Sequence, residues 1–247
     1  MIVEGEKADY KLMEHLLELF FEAKFYIVPY KTNIYALYDM FKINDVNDFD
    51  VLDTVQVLKS VQSDEQIRKE LDRNFSDIVL VFDFDPQDPN YSAEKIIKLK
   101  SIFKESTDNG KLYLNYPMVE SFKHLASVDD SSYLDLKVLY DDLIEKRYKQ
   151  IVSDYTFQTD YKKYNRKECL AVFRQNIVKA NYILYGVNEF PLCAEEYFKI
   201  DLDKILNMQC RLLNNNKNFY VLCTCIFFLL DNKPKALLNE IENLVCE

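Results

Sequence analysis

Residues 78–85 read Ile78-Val79-Leu80-Val81-Phe82-Asp83-Phe84-Asp85, and Pro86-Gln87-Asp88-Pro89 follows at once. An unbroken apolar run without polar alternation describes a strand covered on both faces, the habit of parallel sheets. The prolines stop the ladder from continuing. This stretch sets the fold class and also the place for chemistry, because open parallel sheets bind ligands beyond the carboxyl ends of their strands.

Upstream, Ile2-Val3-Glu4 reads as the end of a short strand, and Leu12, Met13, Leu16, Leu17, Phe20 and Phe21 recur at helical spacing. Phe25-Tyr26-Ile27-Val28 is a β-type run that ends at Pro29. A short helix follows over 33–41, then an acidic loop over 45–53, then a helix from Ser63-Asp64-Glu65 to Arg73. Downstream, 93–103 is helical with Ile96, Ile97, Leu99, Ile102 and Phe103 on its apolar side. Asp108-Asn109-Gly110 makes a turn, and Leu112-Tyr113-Leu114 is a fourth strand. The alternation predicts an α/β domain over 1–128, a Rossmann-like parallel sheet with flanking helices.

From Ser131 onward the strand signals stop, and 133–152, 166–185, 195–213, 220–230 and 236–245 carry helical periodicity. Pro234 suits a first turn and Gly186 a C-cap. The expectation is an all-helical C-terminal region over 129–247. Its apolar stripe Phe219–Leu230 reads as a buried helix or as a self-association surface, which would make a homo-oligomer. The stripe is too short to span a bilayer.

Composition removes several chemistries. The 247 residues include only three Gly and two His, no Trp, and a net charge of −10. With Gly5, Gly110 and Gly186 far apart, neither a dinucleotide fingerprint nor a P-loop can form. His15 and His124 are too few for His-rich zinc sites, and a catalytic triad would have to use one of them. The chain opens on Met1-Ile2-Val3-Glu4, unlike a secretory leader, so its six cysteines are expected as reduced thiols of a cytoplasmic protein with no membrane association. Cys223-Thr224-Cys225 is the one close pair, and no second pair or His lies nearby to complete a metal site.

What remains abundant is carboxylate, 41 Asp plus Glu. Glu4 follows the first strand, with Gly5 making the tight turn into the first helix. Asp83 and Asp85 follow the apolar strand, and Glu120 follows the fourth. Hard oxygen ligands without His favour Mg²⁺ or Mn²⁺. Asp88 is a candidate for a second ion, and Glu6 is the likelier of the first-turn acids Glu6 and Asp9 to reach metal. Basic clusters at Lys95-Lys98-Lys100-Lys104, Lys146-Arg147-Lys149 and Lys162-Lys163-Arg166-Lys167, with Tyr148, Tyr155, Tyr161 and Tyr164 between, could guide and stack a nucleic acid, although solvated faces with half-buried tyrosines read the same way.

Val3-Glu4-Gly5-Glu6, followed by a strand ending in Asp83-Phe84-Asp85, resembles a TOPRIM domain, the fold shared by topoisomerases, primases and several nucleases. Asn115-Tyr116-Pro117-Met118-Val119-Glu120-Ser121-Phe122 is similar to the Asn-Pro-x-x-Glu segment of RloB-like and related abortive-infection TOPRIM proteins, with an extra residue between Asn115 and Pro117. The resemblance covers Met1 to Leu125. It implies Glu4 as metal ligand or general acid/base, Asp83 and Asp85 as a metal-binding pair, and Glu120 as a further ligand or orienting residue. It also implies metal-dependent cleavage of DNA or RNA, transfer RNA included, as an effector of anti-phage defence. No ATPase fits on this chain, so ATP control would come from a separate ATPase or sensor protein. A non-catalytic binding module acting through a protein partner is the alternative, and a receiver-like phospho-acceptor ranks third.

Overall fold

A computed structural model describes residues 1–22, 25–43 and 53–244, so the loop expected over 45–53 lies, Asp53 apart, outside the described residues. The chain divides into two compact units, Met1–Phe84 with Asp88–Tyr113, and Asp85–Gln87 with Leu114–Glu247.

The first unit is organised on a five-stranded sheet of β1 (Ile2–Val3), β2 (Val28–Pro29), β3 (Val79–Asp83), β4 (Lys104–Glu105) and β5 (Gly110–Asn115), in the order β2-β1-β3-β5-β4. β1 runs parallel to both neighbours, Ile2 facing Val28 and Leu80, Val3 facing Pro29 and Val81. The edge strand β4 runs antiparallel to β5. Every residue of β3 is buried, as its apolar run requires. Pro29 is tolerated because β2 is an edge strand among the described residues, where the missing N–H costs no ladder bond. Gly110, at φ +117°, starts β5 against β3, where a Cβ would stand 2.7 Å from Leu80 Cδ1.

Around the sheet lie α1 (Ala8–Phe20), α2 (Ile34–Ile43), α3 (Thr54–Val61), α4 (Glu65–Leu71) and α5 (Ala93–Ile102). α1 buries Leu12, Met13, Leu16, Leu17 and Phe20, the helical stripe read from the sequence. Asp53, Asp64 and Ser92 cap α3, α4 and α5 by accepting first-turn amide hydrogens.

The second unit is mostly helical: α6 (Tyr140–Ile144), α7 (Tyr148–Tyr155), α8 (Arg166–Tyr185), α9 (Ala194–Tyr197), α10 (Leu202–Asn216), α11 (Phe227–Asn232) and α12 (Pro234–Asn243), with short 3-10 helices at Val119–Lys123, Ser131–Asp135 and Tyr161–Lys163. α8 has the expected bounds, opened by an Asn165/Glu168 capping box and closed by Gly186 at φ +71°. The all-helical expectation needs correction. β6 (Lys137–Leu139) pairs antiparallel with β7 (Asn218–Tyr220), breaking the helix expected over 133–152. The buried lysine Lys179 braces that break, its Nζ donating to the carbonyls of Tyr133 at 2.6 Å and Leu136 at 2.8 Å.

The Phe219–Leu230 stripe is half strand and turn, and only its end forms α11. Every residue from Val221 to Leu230 is buried within the fold, so the stripe offers no surface for self-association. The two compact units divide between Tyr113 and Leu114. Tyr116 and Leu222 exchange backbone hydrogen bonds of 2.8 and 2.9 Å, and Thr224 Oγ1 donates to the Leu114 carbonyl at 2.6 Å. Residues 114–128 therefore belong with the second unit. Among the described residues no helix is long and apolar enough to cross a membrane.

Candidate metal centre

The ends of β1 and β3 are sewn together by the residues that carry the acids. The Glu4 amide donates to the Val81 carbonyl at 3.2 Å, and the Glu4 carbonyl accepts from the Lys31 amide at 2.9 Å. With its backbone fixed, Glu4 turns its carboxylate across the end of β3, where Oε2 accepts the Asp83 amide hydrogen at 3.1 Å. Asp83 is the last residue of β3 and is only 8% exposed.

Beyond it, Phe84 is buried and its carbonyl accepts the Tyr35 hydroxyl hydrogen. Asp85 stands at φ +36°, a strained backbone for a residue with a side chain. Its amide donates to the Pro117 carbonyl at 3.2 Å, and Gln87 Nε2 donates to its Oδ1 at 3.0 Å. One oxygen each from Glu4, Asp83 and Asp85 lies within 4.8 Å of the others.

Three carboxylates this close repel one another, and the partly buried setting weakens solvent screening. A divalent cation removes that repulsion. The donor set, hard oxygens alone, suits Mg²⁺ or Mn²⁺ and has neither sulfur nor imidazole to select a softer metal. Glu4, Asp83 and Asp85 are the residues that would hold it.

Two other residues proposed from the sequence are not brought into this group. Asp88 uses both oxygens elsewhere, Oδ2 accepting from Asn33 Nδ2 and Oδ1 from the Asn90 amide of its own loop, each at 2.7 Å. Glu120 sits in the 3-10 helix after β5, 7% exposed, with Lys149 Nζ 3.3 Å from its Oε1. It is a buried acid held by a lysine.

Glu6 and Asp9 lie in different settings. Glu6 is exposed and pairs with Lys31 at 2.9 Å. Asp9 is 6% exposed, and its Oδ2 lies so near the β1–α1 turn that a Cβ on Gly5 would stand 2.6 Å away. The buried acid at the β1–α1 turn is thus Asp9. Its signal in the sequence is Gly5: a turn without a side chain leaves room for a carboxylate to lie on the backbone.

His124 is 4% exposed, with Nδ1 3.1 Å from the Tyr148 hydroxyl, and burial pushes its pKa down to about 4, with Lys179 adding to the effect. It is a neutral core residue. Several members of the basic clusters are paired within the fold. Lys100 is buried and donates to the Leu112 carbonyl, Lys95 pairs with Asp39, Arg147 with Asp142 and Glu145, and Arg166 with Glu240. Tyr148, Tyr161 and Tyr164 are buried, which leaves Tyr155 of the four half-exposed at 36%.

No family model, curated protein or solved structure matches this chain.

Proposed function

We propose that this protein is a Mg²⁺- or Mn²⁺-dependent nuclease that hydrolyses phosphodiester bonds of DNA or RNA, of the kind implied by its resemblance to TOPRIM nucleases of anti-phage defence. The observation that carries the reading is the convergence of Glu4, Asp83 and Asp85 at the carboxyl ends of two adjacent parallel strands. A divalent ion held there would activate water and neutralise charge on the phosphodiester. The protein's own part is to fix the three carboxylates. The Asp83 amide orients Glu4, the β3 end places Asp83, and Pro117 with Gln87 restrains Asp85. Within this reading Glu120 holds Lys149 inside the second unit, and a separate ATPase or sensor protein would supply any ATP-dependent control.

The test is incubation of purified protein with Mg²⁺ or Mn²⁺ and single-stranded DNA, duplex DNA, mixed RNA and transfer RNA in parallel. Cleavage of at least one, abolished by chelation and by Asp83→Ala in a variant with native circular dichroism, is the expected result. Undiminished cleavage by Asp83→Ala, or no cleavage of any substrate, overturns the assignment.

A further inference from the structure

Cys223 and Cys225 have no part in the metal centre, yet their sulfurs stand 3.3 Å apart. Both side chains are buried. The chain curls there around one acceptor: Asn115 Oδ1 takes the amide hydrogens of Thr224 at 3.1 Å and Cys225 at 3.2 Å, and the thiol hydrogen of Cys223 at 3.6 Å. The Cys223 amide is held in turn by Asn176 Oδ1 at 2.8 Å. Successive amides converging on one oxygen bend the backbone, and the bend leaves side chains 223 and 225 facing each other. A disulfide bond needs the sulfurs only about 1.3 Å closer, a change that side-chain rotation supplies. Asn115 itself is fully buried, and its Nδ2 has no hydrogen-bond acceptor.

We infer that Cys223 and Cys225 are a reversible dithiol–disulfide site, oxidised by small disulfides. One thiolate attacks a sulfur of the oxidant, breaking its S–S bond and releasing one small thiol. The second cysteine, losing its proton, attacks the protein sulfur of the mixed disulfide, forms the Sγ–Sγ bond and releases the second small thiol. Two electrons pass to the oxidant, and the two cysteine protons end on the two released thiols. The inference stands whether or not the protein is a nuclease.

The test uses the full chain carrying Cys193→Ser and Cys246→Ser, so that Cys169, Cys210, Cys223 and Cys225 remain. The native protein is incubated with glutathione disulfide, quenched in acid, denatured, alkylated and weighed intact. The expected result is the loss of two alkylation sites relative to the reduced control, mapped to the peptide that holds 223–225 and restored by dithiothreitol. Adding Cys225→Ser, or Cys223→Ser should that variant fail to fold, abolishes the paired loss. Four alkylated thiols after prolonged incubation, a lasting glutathione adduct without a Sγ–Sγ bond, or loss mapped to Cys169 or Cys210 overturns the inference.

Discussion

The least conspicuous residue at the carboxylate cluster is the one whose replacement reads most directly on it. A methyl group on Gly5 would stand 2.6 Å from Asp9 Oδ2, so Gly5→Ala forces the Asp9 carboxylate away from the turn that carries Glu4. Groups that support ligands typically change metal affinity by roughly 10–100-fold when disturbed. Gly5→Ala is expected to weaken Mn²⁺ binding about tenfold in a calorimetric titration while leaving the helical circular dichroism intact, and unchanged affinity would detach Asp9 from the centre. His124 gives a second expectation, in pH. Its folded pKa of about 4 lies below the ordinary 6.5 of an unfolded chain, so only the unfolded state gains the proton as pH falls between those values. Its effect on stability is nil above 6.5, grows as pH drops and levels off below 4, reaching on the order of 3 kcal/mol. Urea denaturation of wild type and His124→Gln from pH 7 to 4 should show wild type losing more stability over that window; parallel curves would refute it. Glu4, Asp83 and Asp85 could be found from the sequence because each lies next to a strand end, where direction is set by the ladder. Asp9 and Asp88 could not be ranked that way. Their places depend on how a turn closes over Gly5 and on Asn33, which is distant in sequence, reaching into the Asp88 loop.

Elements with a long internal pattern were readable, and those defined by a remote partner were not. β3 and α8 announce themselves, one by the apolar run 78–82, the other by periodicity between an Asn cap and a Gly stop. β6 is three residues long, with Val138 buried between exposed Lys137 and Leu139, a pattern too short to stand against helical neighbours. Only β7, some eighty positions on, makes it a strand. The same distinction between local and remote causes predicts how two glycines differ. A Cβ on Gly186 would have nothing within 4 Å of it, so Gly186→Ala meets only the cost of a left-handed backbone, about 1 kcal/mol. Gly110 carries positive φ and also abuts Leu80 and Ile78 across the sheet, so Gly110→Ala adds crowding to strain and should cost about 2–4 kcal/mol. Chemical denaturation of the two variants checks the order, and equal losses would show that β5 yields where it meets β3.

Charge links the site to the behaviour of the entire protein. The sum is −10, and among the described residues the lysines and arginines of the basic clusters are in good part committed to Asp39, Asp142, Glu145, Glu120 and Glu240. Long-range attraction for a polyanion is weak in a molecule of this net charge, so under the proposed nuclease reading phosphate recognition would fall to a cation at Glu4, Asp83 and Asp85. Repulsion among the same three carboxylates should make the metal-free fold less stable than it would be with one charge fewer. Asp83→Asn keeps the backbone amide that orients Glu4 and removes one negative charge from the group. In chelator its melting temperature is expected to rise by about 2–4 °C, the shift that roughly 1 kcal/mol produces at this chain length. Manganese at about a hundred times its dissociation constant should stabilise the wild type by about 2.7 kcal/mol, and the variant by much less at the same concentration. The two curves, with and without metal, should therefore cross in order: variant above wild type in chelator, wild type above variant in Mn²⁺. A metal response of equal size in both proteins would mean that the ion binds elsewhere, and a variant less stable than wild type in chelator would mean that Asp83 serves the fold through contacts that outweigh its repulsion from Glu4 and Asp85.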